Sequence, residues 1–343
     1  MAEQVGIGVI GAGRIASGYH LPAIAAVDGA RLVAVVDMAP RRAEEAATRF
    51  GFGAWYGDYR RLLDRPDVDA VLVLTTYQAR HEIVLAAAAA GKHVFTQKPL
   101  AGSAAEGEAL VAAAKRAPVR LVTSFMHNYF PETRVAKGLL DDRAIGAVRF
   151  IRQRNATHNP YERALELAGA TWDIGPHGIG MIEHLAGARI ARVQAMMDVL
   201  TRPPSQRDLR DGRPVDTLAI MNYTLADGRL VTHEVQWTAE AGALAWTTEV
   251  FGDQGGLLLR PHTGEGPVAL SQRDPRSGRG GGWQFPPVPP EQPRGRFHHQ
   301  LFVDDVRYDR HASAAPEDGL ATLRVLEAAY RSAAEGSAVD VPH

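Results

Sequence analysis

The sequence contains no cysteine. With no thiol, neither a disulfide framework nor a thiolate metal site is available to it. An excess of charge is also missing. Lys and Arg number 38 against 39 Asp and Glu, for a net charge of -1. That balance gives no basic face for nucleic acid or for an anionic membrane. Long apolar runs are absent too. Leu85 to Gly91 is alanine-rich but far short of the ~20 apolar residues that span a bilayer. Glu3 and Gln4 interrupt the start, which does not read as a secretory leader. A cytoplasmic protein is expected, without a membrane or nucleic-acid partner.

What is present is an ordinary globular composition, 45 % apolar over 343 residues. That length suits about two domains. In the first third, β-rich runs alternate with helical patterns. Strands are expected at Val5–Ile10, Arg31–Asp37, Asp69–Thr75, His93–Thr96 and Arg120–Phe125. Helices are expected at Arg14–Val27 (with Pro22 as a kink), Pro40–Phe50, His81–Ala90 and Ser103–Arg116. Such alternation implies parallel βαβ units. From residue 147 to 260 the apolar runs lengthen and only one helix, near Gly178–Ala186, interrupts them. Asp227-Gly228 between two β runs marks a hairpin. Residues 277–296, rich in Gly, Pro and Arg, read as a long loop, and Phe297–Val306 and Gly319–Glu335 as closing helices. The fold expected is α/β. A doubly wound parallel Rossmann sheet occupies 1–124. An α+β domain with a large, open, mostly antiparallel sheet occupies 125–343 and serves substrate binding and oligomerisation.

Gly11-Ala12-Gly13-Arg14-Ile15-Ala16 follows a strand and opens a helix. Gly11 permits the tight turn, Gly13 lets the backbone approach a pyrophosphate, and Ala16 keeps helix and strand close. The free N–H groups of the helix start then face the phosphates. Asp37 ends the next strand, 21 positions after Ala16, where an acid would bind the ribose hydroxyls. A carboxylate there repels a 2′-phosphate, so NAD is expected over NADP. Arg41 and Arg42 close behind read either as groups that bind a phosphate or as the solvated first turn of a helix.

Lys98, in Thr96-Gln97-Lys98-Pro99, follows a predicted parallel strand. Ligands of open α/β sheets bind beyond the carboxyl ends of such strands. The X-Pro bond after it is a candidate for cis geometry. A surface lysine ahead of a helix is the competing reading. Asp173 and His177 are four residues apart, so on a helix they share a face. The carboxylate would orient the imidazole, which would take a proton from a substrate hydroxyl. The competing reading is a capping aspartate and a core histidine.

The chain resembles the family of glucose–fructose oxidoreductase, inositol dehydrogenase and related proteins (Gfo/Idh/MocA). The resemblance rests on Gly8 to Ala16, Ala90-Gly91-Lys92-His93-Val94 before Lys98-Pro99, Asp173-x-Gly175-x-His177, and Asp318-Gly319-Leu320. It implies an NAD-dependent oxidoreductase whose catalytic groups are Lys98, Asp173 and His177. It also implies that Thr76 lies near the cofactor, with His81 just beyond. The chain departs from the pattern at Gln97, where the family has glutamate, at Tyr77 and Gln78, and at Trp172.

The expected reaction passes a hydride between nicotinamide and a secondary hydroxyl of a sugar, glycoside or cyclitol. His177 removes the proton, Asp173 orients His177, and Lys98 stabilises the alkoxide. The expected cofactor contacts are Gly11, Gly13, Arg14, Ile15, Asp37, Thr76, His81, Gln97 and Lys98. The expected substrate contacts are His127, His158, Asn159 and Tyr161; Asn128, His298 and His299 are weaker candidates. No metal is expected, because no pair of histidines has an acid at ligand spacing. Two other readings share the fold: an NAD-dependent glycosidase using transient oxidation, and a cofactor-sensing regulator without catalysis. An open sheet with an apolar outer face also suggests a homodimer or homotetramer through the C-terminal sheet.

Overall fold

The computed structural model describes residues 4–158, 166–198, 209–210, 212–237, 245–261, 266–274 and 280–342. They divide into two compact units, 1–129 with 291–323, and 130–290 with 324–343.

The first unit is built on six parallel strands: β1 (Val5–Ile10), β2 (Ala30–Val36), β3 (Ala54–Tyr56), β4 (Ala70–Val73), β5 (His93–Gln97) and β6 (Leu121–Ser124). Their order is β3-β2-β1-β4-β5-β6, that of the doubly wound dinucleotide fold. Strand β1 is buried along its whole length, as a central strand covered on both faces must be. Helices α1 (Leu21–Ala25), α2 (Pro40–Phe50), α3 (Tyr59–Leu63), α4 (Tyr77–Ala89) and α5 (Ala104–Arg116) connect the strands. The expected kink at Pro22 is a wide turn: residues Ala16–His20 form a π-helix and Leu21 donates its N–H to the Ala16 carbonyl. Pro22, with no N–H to give, sits at the start of α1.

The second unit starts with α6 (Pro131–Asp141) and strand β7 (Val148–Ala156), followed by α7 (Ala170–Asp173) and α8 (Gly175–Ala186). Then come β8 (Ile190–Asp198), a two-residue pair β9 (Leu209–Arg210) and β10 (Arg213–Pro214), β11 (Leu218–Leu225) and β12 (Leu230–Gln236). The remaining strands are β13 (Trp246–Gly252), β14 (Gly255–Leu259), β15 (Val268–Arg273), β16 (Gly280–Gln284) and β17 (Val339–Asp340). Nine of these strands form one sheet in the order β16-β15-β14-β13-β7-β12-β11-β8-β17. Every neighbouring pair is antiparallel except β7–β12, which is parallel. Asp227-Gly228 closes the β11–β12 hairpin as expected, with Gly228 at φ +86°. Residues 280–284 pair with β15 as an edge strand; they were expected in a loop, because three successive glycines carry no β signal.

The chain ends with α9 (Arg296–Tyr308), α10 (Pro316–Glu335) and β17. Segment 291–323 groups with the first unit, although the sequence placed it after a boundary at 124. The physical reason is burial. Phe302 and Val303 of α9 are fully buried in one core with Ile7, Leu72, Phe95 and Val122. Each such side chain contributes about 1.5–3 kcal/mol.

Candidate active site

In the first unit the glycine turn has the backbone its sequence implies. Gly11 lies at φ +100°, and a Cβ there would approach the Leu74 backbone to 3.0 Å. A Cβ on Gly13 would meet nothing within 4 Å. Open space over that glycine is the cradle that a pyrophosphate needs. Arg14 and Ile15 are exposed at the helix start. Asp37 braces the turn: one oxygen accepts from the Ala12 N–H and the other from the Ala39 N–H, both at 2.9 Å. Its remaining lone pairs are available to ribose hydroxyls. Arg41 is engaged by Glu45 at 2.7 Å, whereas Arg42 lines a pocket with Ala12 and Ser17.

Lys98 is half-buried directly after β5, and the Lys98–Pro99 peptide is cis. A buried group without any motif of its own organises this end of the sheet. Arg80 on α4 donates to the carbonyl of Pro99 and, at 2.7 Å, to that of Thr75. Burial lowers its guanidinium to about 9. Thr76 is exposed as the N-cap of α4 and His81 is half-buried one turn on. Tyr77 is buried against Gly102, so this departure from the family pattern packs in the core.

Gln97 is buried and faces His20. His127 and Asn128 lie buried in a 3-10 turn after β6. His298 and His299 are fully buried among Phe95, Tyr129 and His20, so they belong to the core of this unit.

In the second unit, Asp173 ends α7 and His177 is the third residue of α8, with Ile174 as the joint between the helices. His177 is buried, with its ring centroid 5.9 Å from that of Trp246. Two buried polar clusters set these helices. Asp216 accepts from the Thr171 N–H at 3.0 Å, from the Thr171 hydroxyl at 2.7 Å and from the Tyr330 hydroxyl at 2.8 Å. Burial nevertheless raises its carboxyl to about 6. Trp172 is fully buried, with the Arg213 guanidinium 3.6 Å from the centre of its ring, which gives that departure a packing role. Beneath α8, His233 bonds Asn155 at 2.7 Å and Tyr223 at 3.0 Å. A Cβ on Gly178 would come within 2.1 Å of Asn155 Oδ1 and 2.3 Å of His233 Nε2. Only glycine lets the helix carrying His177 lie this close to the pair. His158 is exposed just past β7, and Asn159 and Tyr161 fall outside the described residues. Among the described residues, no three His, Asp or Glu side chains group as a metal site would require.

The model of an oxidoreductase family with an NAD-binding Rossmann fold matches residues 5–125, and the C-terminal domain model of the same Gfo/Idh/MocA family matches 133–258. The chain belongs to the Gfo/Idh/MocA family. It is therefore an NAD-binding oxidoreductase, of a family whose similar members include dehydrogenases of CH–OH groups. A myo-inositol 2-dehydrogenase of Thermotoga maritima is 28 % identical over 97 % of both chains. An inositol 2-dehydrogenase of Burkholderia cenocepacia is 35 % identical over 58 % of this chain and 59 % of its own. In fold, the chain is similar to a levoglucosan dehydrogenase in complex with NADH (TM-score 0.86, 24 % identity, 99 % of this chain and 100 % of that one). It is also similar to GenD2 from gentamicin A biosynthesis in complex with NAD (TM-score 0.81, 27 % identity, 100 % of this chain and 98 % of that one). Among the described residues, no helix is long and apolar enough to cross a membrane.

Proposed function

We propose that the chain is an NAD-dependent dehydrogenase of a secondary hydroxyl on a sugar, glycoside or cyclitol. The observation that carries this reading is one chain's possession of both parts. It has a glycine turn braced by Asp37 in one unit, and a buried histidine four residues after an aspartate, on purpose-fitted helices, in the other. Full-length likeness to an inositol dehydrogenase supports the substrate class.

NAD, when bound, accepts or returns the hydride. Gly11, Gly13, Arg14 and Ile15 would hold its pyrophosphate and Asp37 its ribose. Thr76, His81 and Gln97 would complete the cofactor contacts. The Asp37 carboxylate disfavours a 2′-phosphate, so NAD is preferred to NADP. His177 acts as general base toward the hydroxyl, Asp173 fixes its orientation, and the Lys98 ammonium stabilises the alkoxide. In the reverse direction the same groups protonate a ketone. His127 and His158, together with Asn159 and Tyr161, would select the substrate.

The outer face of the nine-stranded sheet supports self-association. Met196 is cross-strand from Ile220, and Phe251 and Leu230 flank Phe150. Met196, Ile220, Leu230 and Phe251 are all exposed. A homodimer or homotetramer through that face would cover them.

NADH formation from NAD across a panel of inositols, hexoses, anhydro sugars and glycosides tests the redox reading. Turnover of at least one member is expected. Aglycone release without net NADH would favour the glycosidase alternative, and tight NAD binding with no turnover the regulator.

A further inference from the structure

Behind β5 lies a chain of polar groups that belongs wholly to the first unit. Gln97 Nε2 meets His20 Nε2, His20 Nδ1 meets His299 Nε2 at 3.0 Å, and His299 Nδ1 meets the Gly295 carbonyl at 2.8 Å. His20, His299 and Gln97 are all buried. The end of the chain settles its direction. A carbonyl oxygen only accepts, so His299 carries its proton on Nδ1 and offers a lone pair at Nε2. His20 must then donate from Nδ1 and accept at Nε2. The group opposite His20 Nε2 must therefore be a donor, and the Gln97 amide N–H is one. A carboxylate is not.

We propose that this one-directional chain, Gln97 to His20 to His299 to Gly295, sets which polar atoms Gln97 can offer at the end of β5. It fixes the Gln97 amide with one N–H inward, so only its oxygen and second N–H remain for cofactor or substrate. It also explains glutamine where the family has glutamate. A glutamate would face the acceptor nitrogen of His20, and the pair would be satisfied only by taking up a proton, either on the glutamate as a neutral acid or on His20 as an imidazolium. The inference rests on reading the end of β5, where Lys98 follows Gln97, as the reacting end of the site.

The surroundings favour the neutral chain. His20 is packed against Tyr19 with centroids 4.9 Å apart and against Phe95 at 5.8 Å. The titratable groups acting on it are His299 and His298, while Glu291 and Arg294 act on the Tyr19 phenol. Burial first, then the two histidines, hold the His20 imidazole well below its ordinary value. Gly295 cannot be replaced without moving the carbonyl that terminates the chain. It lies at φ +91°, and a Cβ would sit 2.4 Å from the Tyr19 ring.

The test is the histidine ring tautomer, read by two-bond ¹H–¹⁵N correlation on the full chain labelled at histidine, with His20→Gln and His299→Gln spectra identifying the rings. His20 and His299 should both be Nδ1–H tautomers, unchanged across neutral pH. In Gln97→Glu, the pair should take up one proton, seen as an imidazolium at His20 or as a protonated carboxyl on the introduced glutamate in its ¹³C shift. NAD affinity, flat with pH in the parent, should then vary by up to about tenfold per pH unit. An Nε2–H tautomer of His20 in the parent chain overturns the proposal, and the parent spectrum decides this even if no variant folds. A Gln97→Glu chain with an ionised glutamate beside a neutral His20 overturns it as well. A parent that shows the expected tautomers yet turns over no hydroxyl substrate sinks the redox reading and leaves the hydrogen-bond chain standing.

Discussion

Single residues carry the sharpest consequences. Asp37 accepts two backbone N–H groups of the turn region and is assigned the ribose hydroxyls. Hydrogen bonds to a charged acceptor are each worth about 1.5–3 kcal/mol. Asp37→Ala should weaken NAD binding by roughly tenfold or more and narrow the preference over NADP. Titration of both dinucleotides checks this, and unchanged selectivity would contradict it. Gly178→Ala puts a methyl group onto Asn155 and His233, two side chains already bonded to each other. Overpacking of this kind costs about 1–3 kcal/mol. The urea midpoint should fall, and turnover should fall with it because α8 carries His177. An unchanged midpoint would mean that the helix has room the geometry denies.

At the scale of elements, Asp216 holds the start of α7 and thereby the Asp173 helix. Asp216→Ala leaves the Thr171 N–H, the Thr171 hydroxyl and the Tyr330 hydroxyl without their acceptor. Each buried donor so stranded costs about 1–3 kcal/mol. The expected result is lower stability and lower kcat, with KM for NAD unchanged, since the turn lies in the other unit. A rise in that KM with kcat intact would refute this role. The elements the sequence made legible are those whose signal is local. Strands β1, β2 and β5 are runs of β-branched or aromatic residues, α2 begins at a proline and ends at a left-handed glycine, and the turn at Gly11 has its spacing to Asp37. Lys98, Asp173 and His177 stand out in the sequence through short motifs of the same local kind. What could not be read is what depends on distant partners. Strand β3 has three residues and α3 five, too few for periodicity to register. Arg80, Asp216 and His20 read as ordinary polar residues, because the groups that bury and bond them lie far away in the chain or across a turn. The histidine pair 298–299 gives no local sign of the Phe95 and Tyr129 rings that pack around it.

For the whole molecule, buried histidines set the response to acid. His20, His298 and His299 in the first unit are all held below their ordinary value by burial, His299 to about 4. A histidine so lowered binds its proton in the unfolded chain first. Stability is therefore intact above the unfolded value of about 6.5 and is lost as pH falls below it. Three such groups together cost about 4 kcal/mol per pH unit in that window. The second unit has His233, lowered to about 3 by burial, but also Asp216. The raised carboxyl of Asp216 has the opposite sign: its protonation favours the folded state as pH falls through about 6. The first unit should thus open before the second between pH 7 and 5. Hydrogen exchange, corrected to a common intrinsic rate, would show it; earlier loss of protection in the second unit would contradict it. Self-association belongs to the same scale. The mass in solution at micromolar concentration should exceed that of the 37.1 kDa chain, and a monomer would remove the assigned role of the open sheet face.

The role proposed for Lys98 and His177 is hydride transfer from a hydroxyl to NAD. It is tested most directly by following NADH formation across the polyol and sugar panel for the parent chain, Lys98→Met and His177→Ala. The parent should reduce NAD with at least one member, and each substitution should lower kcat by roughly 10²–10⁴-fold while NAD still binds. Near-parental turnover in both variants would contradict it.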